Sequence, residues 1–158
     1  MLRSSLFVLS LLGVFAAPAY AAGLTASQTV EVGIVAVDAN GETETRFEPA
    51  EEISPGDEVR YVLSYANSGD DSAENVRLDM PVPNEIELID GSVEAAGARV
   101  TYSIDNGSSY AARDMLTISA NGQARIAVAE DITHIRWTFA EAIAPGQTGT
   151  ISYRGVLQ

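Results

Sequence analysis

The 158-residue chain has no cysteine and no lysine, a single histidine and a single tryptophan. Without cysteine there is no disulfide and no attachment point for a lipoprotein anchor, so an exported domain of this sequence is held by its core alone. The same scarcity thins the catalytic inventory. Any Ser-His-Asp arrangement would have to use His134, which falls on the outward phase of its segment, and no G-x-S-x-G elbow is present. A lone histidine is equally weak as the start of a zinc site. Positive charge is scarce as well: nine basic residues against 22 acids give a net charge of -13. A surface of that sign repels nucleic acid and anionic lipid. Every basic residue is arginine, to which no function is assigned. No segment carries a long 3.6-residue apolar period, which leaves little room for helix.

The N-terminus reads as an address. Arg3 supplies the positive region, Leu6 to Ala17 an apolar run, and Ala19-Tyr20-Ala21 a small-x-small pattern, which together form a signal peptide cleaved after Ala21. The apolar run is too short for a permanent membrane span, which takes roughly 20 residues. Removing 21 of 158 residues leaves 137, the size of one domain, 22–158, with a formal charge of -14 from 22 acids and the eight remaining arginines. The expected location is periplasmic or extracellular.

What the chain does have is alternation. Val59, Tyr61, Leu63 and Tyr65 share one face of a strand, with Glu58, Arg60 and Ser64 between them. Val76 and Leu78 oppose Asn75, Arg77 and Asp79, Val100, Tyr102 and Ile104 point inward, and Ile135, Trp137 and Phe139 point one way with His134, Arg136 and Thr138 on the other. Gln28 to Val37 and Glu42 to Glu48, the latter with Thr43, Thr45 and Phe47 on one face, form a hairpin. Its Asn40-Gly41 predicts a type I′ turn with both residues at positive φ. Asn106-Gly107 and Asn121-Gly122 are turns of the same kind. Ser54-Pro55-Gly56-Asp57 predicts a type II turn, and Ala144-Pro145-Gly146-Gln147 echoes it ahead of a strand over Thr148 to Leu157, marking two equivalent corners of a sandwich. Two prolines in Met80-Pro81-Val82-Pro83 stop the strand before them, Ile86 to Ile89 is a short strand or cover, and Ala111 to Met115 can make one helical turn. The expected fold is an all-β, immunoglobulin-like antiparallel β-sandwich of seven to nine strands, monomeric or weakly associating.

Oxygen ligands are the best metal candidates. Asp70, Asp71 and Glu74 sit in one loop with Asn67, though calcium takes six to eight oxygens and this loop would need backbone carbonyls and water to complete a site. Asp38, Asn40, Glu42 and Glu44 are better explained by the Asn-Gly turn, because the glycine is misplaced for an EF-hand and no acid closes the loop. Tyr61, Tyr65, Tyr102 and Trp137 all lie on inward phases, which favours core packing over a sugar-binding platform.

The ordered motifs P-G-D-E-V-R-Y-V-L-S-Y-A-N-S-G, A-E-N-V-R-L-D-M-P-V-P, Y-S-I-D-N-G-S-S-Y, I-T-H-I-R-W-T-F and I-A-P-G-Q-T-G-T-I-S-Y run from Pro55 to Tyr153, within a resemblance that covers residues 28–158. In this order they resemble the bacterial conserved repeat domain known as domain of unknown function eleven. The resemblance implies an immunoglobulin-like module of exported and cell-envelope proteins, often in tandem copies, with no catalytic residues to transfer; here there is one copy. The function expected is that of a non-catalytic envelope module with a structural or protein-interaction role and no cofactor. The alternative is a calcium-dependent surface adhesin or carbohydrate-binding domain. If the Thr148 to Leu157 or the Gln28 to Val37 strand is at an edge, a partner could add a strand there, with Ser152 as an edge donor; the favoured alternative is that Arg154 and the nearby acids keep that edge soluble.

Overall fold

The computed structural model describes residues 23–120 and 123–158, so the leader and the Asn121-Gly122 turn lie outside the described residues. Among the described residues ten strands run in chain order: β1 Leu24–Val37, β2 Thr43–Pro49, β3 Glu58–Asn67, β4 Arg77–Pro81, β5 Ile86–Leu88, β6 Arg99–Ser103, β7 Thr117–Ala120, β8 Gln123–Ile126, β9 His134–Thr138 and β10 Thr148–Leu157. Eight of these form the two larger sheets, within the seven to nine expected for the sandwich, and even the short Ile86–Leu88 run pairs, with Gly155 to Leu157 of β10. Single 3-10 turns at Arg113–Met115 and Ala129–Asp131 are the helical elements among the described residues. All pairings are antiparallel, in a five-stranded sheet ordered β2-β1-β3-β10-β5, a three-stranded sheet ordered β4-β9-β6, and a β7-β8 ribbon.

The period-2 pattern of β3 becomes one wall of the core. Val59, Tyr61, Leu63 and Tyr65 are buried, Ile151 and Tyr153 of β10 lie beside them, and Met80, Ile135 and Trp137 face them from the second sheet. Tyr61 and Tyr153 are directly opposite in register and stack at 4.9 Å between ring centroids with 7° between planes. A buried phenol or indole needs a partner for its polar end. The Tyr153 hydroxyl donates to the Pro81 carbonyl at 2.7 Å and Trp137 Nε1 donates to the Glu94 carbonyl at 2.8 Å, so each ring spans the layers. Tyr65 meets Phe139 edge to face at 5.1 Å. Leu116 and Ala127, joined by a backbone bond, dock the β7-β8 ribbon on this core.

The two Pro-Gly corners are the same device used twice. Gly56 has φ +96° and Gly146 φ +75°, each closing a type II turn in which the fourth residue's N–H bonds the first residue's carbonyl: Asp57 to Ser54 and Gln147 to Ala144, both at 3.0 Å. In each, the fourth side chain accepts the N–H of the first, Ser54 to Asp57 at 2.7 Å and Ala144 to Gln147 at 2.9 Å. The corner glycines then cross over: Gly56 N–H donates to the carbonyl of Leu157 at the end of β10, and Gly146 N–H to that of Asn67 at the end of β3, both at 2.7 Å. β3 and β10 are thereby clamped at both ends in one register.

The Asn-Gly turns divide. At 105–108 the type I′ geometry is present, with Asn106 at φ 57° and Gly107 at φ 80°. At 40–41 only Gly41 has positive φ, at 84°, so the expected type I′ turn is corrected to a three-residue loop closed by a glycine bulge. The cause is Asp38, whose carboxylate accepts the N–H of Asn40 at 2.9 Å and of Glu42 at 2.8 Å. These backbone bonds, that of Glu42 first, lower its pKa.

Candidate functional site

Asn67, placed with the loop acids as an oxygen ligand, is 1% exposed and works as a bracket. Its Nδ2 donates to the carbonyls of Asp71 and Ile143, both at 2.8 Å, and its Oδ1 accepts the Gly69 N–H at 3.1 Å. That use commits the side chain to holding the loop against the β10 corner. Asp70, Asp71 and Glu74 are exposed, and among the described residues no three His, Cys, Asp or Glu side chains gather closely enough to hold a metal ion. The structure therefore does not bring the proposed calcium ligands together.

His134 lies on the outer face of β9 as its phase requires, but it is half-buried rather than solvated, because the loop from Asp105 to Tyr110 folds across it. Burial lowers its pKa, against the opposing pull of Asp79 and Asp105. Its Nδ1 is buried without a hydrogen-bond partner, so no carboxylate orients the ring as a general base requires. Around it stands a polar lock. Arg136 grips Asp79 through two bonds of 2.7 Å and stacks its guanidinium 3.6 Å above the Tyr110 ring. Fully buried Ser103 donates to Asp105 at 2.7 Å and accepts the Gly107 N–H at 2.9 Å. Bonds from Ser103 and Ser109 hold the Asp105 carboxyl down at about 2. Sequence reading missed this cluster, since Ser103 is buried on the phase that alternation marks as outward.

Neither of the two strands considered as an edge is outermost in its sheet. β10 lies between β3 and β5, and β1 lies between β2 and β3. Ser152 is 3% exposed; its hydroxyl donates to the Glu94 carboxylate at 2.9 Å and its carbonyl takes the Glu94 N–H at 2.9 Å. It is covered by the segment that follows β5, a long-range arrangement that no local pattern records.

The five-stranded sheet ends in β2 and β5, and the longer of these two edges is the seven-residue β2. β1 pairs with β3 from Leu24 to Val32, but its remaining residues, Gly33 to Val37, pair only with β2 and form a two-stranded arm beyond the end of β3. Which backbone groups the arm leaves free follows from the bonds at its two ends. Asp38 N–H to Glu42 carbonyl, at 2.8 Å, and Ala50 N–H to Val30 carbonyl, at 3.0 Å, show that even-numbered residues of both strands bond each other. In an antiparallel ladder the alternate residues point the other way. Thr43, Thr45 and Phe47 therefore offer their N–H and carbonyl groups to the open side of β2. Pro49 shares that phase, the place where a strand tolerates a residue with no N–H. On the opposite side of the arm the groups of Val35 and Val37 face the space past β3. The side chains of Val35 and Val37 are 76% and 67% exposed, and Ile34 is exposed too. At the arm's base Arg60 bonds Glu31 at 2.6 Å and sits 4.4 Å over the Phe47 ring, fixing β2 against the sheet. Among the described residues no helix is long and apolar enough to cross a membrane.

Compared with protein-family models, with curated proteins and with solved structures, the chain finds no match.

Proposed function

We propose that the protein is a non-catalytic, exported cell-envelope module that binds another exported protein, with the β1–β2 arm as its contact element. The observation that carries this reading is that β1 outruns β3 by the five residues Gly33 to Val37, which keep a strand's hydrogen-bonding groups and β-branched side chains with no second layer over them. Natural sheets blunt such edges unless they are used, and exposed apolar side chains in a row mark contact surfaces. The leader-like Met1 to Ala21 and the resemblance to an envelope repeat domain support an exported location.

The test is a photo-crosslinking residue at Val35 in the full chain expressed in its own envelope, with the crosslinked chain identified by mass spectrometry. One dominant exported protein, lost when Gly33 to Phe47 is replaced by a short turn that leaves the circular dichroism of the sandwich intact, is the expected result. Equal capture by the shortened protein, or no adduct from the parent, overturns the reading.

A further inference from the structure

Resting on that reading, we infer that the free β2 edge accepts an extended segment of a partner protein in which basic residues alternate with apolar ones. The backbone supplies the fit: Thr43, Thr45 and Phe47 present donor and acceptor groups at every second position, which is the spacing an added strand needs. Pro49 and the loop at Asp38 to Glu42 bound this edge, so it takes a short segment.

The side chains supply the selectivity. Successive residues of β2 point to opposite faces. One face carries Thr43, Thr45 and Phe47, continuous with the exposed Val35 and Val37 of β1 across the register Val35 to Thr45 and Val37 to Thr43. The other carries Glu44, Arg46 and Glu48, with Arg46 already held by Glu44 at 2.5 Å, which leaves Glu48 and the neighbouring Glu42 unneutralised. Asp38, Glu51 and Glu52 extend the negative field to both ends of the edge. Opposite-charge cross-strand pairs stabilise a ladder and like-charge pairs destabilise it. A second copy of β2 sets acid against acid: with Glu44 opposite the copy's Arg46, Glu42 falls opposite Glu48, and a shift of two residues either way puts Glu44 opposite Glu44 or Glu48. The edge therefore suits its own kind less well than a strand that brings arginine or lysine to one face and Val, Ile or Thr to the other. The other sheet offers less, since β6 is bridged by Ala111 at Tyr102 and β4 is five residues ending at Pro81.

The experiment uses the full chain and three synthetic peptides: an alternating Lys-Val heptapeptide, a block peptide of the same composition with all lysines first, and the alternating peptide N-methylated on the amides that would face β2. Binding is followed by calorimetry, and amide hydrogen exchange is read residue by residue. The expected result is binding of the alternating peptide about tenfold or more tighter than either control, with new protection at Thr43, Thr45 and Phe47 and none at Glu44 or Arg46. Thr45→Pro abolishes it, while Glu42→Gln with Glu48→Gln weakens it severalfold and flattens its salt dependence. Equal affinity for the block peptide, protection elsewhere on the molecule, or concentration-dependent dimerisation of the parent through β2 overturns the inference. A single crosslinked partner at Val35 whose contact segment is acidic or helical overturns it too, and leaves the binding function standing.

Discussion

β3 and the distal half of β1 are made from similar material and meet different fates. Each is an antiparallel strand with β-branched or aromatic residues on alternate positions, yet Val59 of β3 is fully buried while Val35 of β1 is 76% exposed. The difference is not in either strand. β3 has β10 beside it, a Pro-Gly corner at each end of the pair, and Met80, Ile135 and Trp137 across the layer, whereas residues beyond Gly33 have a single neighbour and nothing above. Alternation states that a strand has an apolar face. What covers that face depends on residues far away in the chain.

The sharpest way to break the contrast is to empty the covered side. Trp137→Ala removes the largest fully buried side chain and strands the Glu94 carbonyl, and a loss of about 3–5 kcal/mol in urea unfolding is expected. A loss near zero would mean that the two layers are not held as described. Next comes the loop bracket: Asn67→Ala takes the side-chain donor from the Asp71 carbonyl, leaves the Ile143 carbonyl with the Ala73 N–H alone and frees the Gly69 N–H, and should cost about 1–3 kcal/mol, with no recovery on adding calcium. Recovery with calcium would return the loop to the status of a metal site.

A milder effect comes from acid. The Asp105 carboxyl sits at about 2 in the fold against an ordinary 3.8, so the unfolded chain binds the proton more readily and the contribution is complete above that ordinary value. It is lost as pH falls from 3.8 towards 2. Thermal melts across that window should steepen for the parent and flatten for Asp105→Asn; parallel curves would show that the Ser103 and Ser109 bonds do not survive in solution. The smallest change is expected on the uncovered side. Val35→Thr should shift stability by no more than about 0.5 kcal/mol, because the side chain leaves water neither before nor after the change. A larger loss in the same urea titration would mean that the arm is packed against something.

How far the sequence carries can be argued from particular residues. Tyr61, Tyr65, Ile135 and Trp137 were legible because each repeats every second position in a run long enough to fix its phase. Both type II corners were legible because proline presets one dihedral and glycine alone accepts the next. Asn40-Gly41 was not, since the same dipeptide as Asn106-Gly107 is diverted by a carboxylate two residues upstream, and Ser103 was not, since its burial is imposed by a loop folding back. Strand order was the least readable: local pattern left β10 and β1 as candidate edges, and the distant segments β5, Glu94 and β2 lie beside them. The surface proposed for binding is thus the part least visible in advance.

β1 belongs to the arm and to the sandwich at once, and that has a mechanical meaning. A partner strand bound to β2 and pulled outward along the arm transmits force down β1, whose Leu24 to Val32 is registered antiparallel with Asn67 to Val59 of β3. The load then runs parallel to the strands, so the rungs between them are sheared together instead of being peeled one after another. The same bond count can yield at very different forces in those two directions. Resistance to pulling is set by the rate of forced unfolding and not by equilibrium stability, so tension applied along this arm would load the β1–β3 rungs together in shear, while tension across β2 would unzip it from Thr43 to Pro49 one rung at a time.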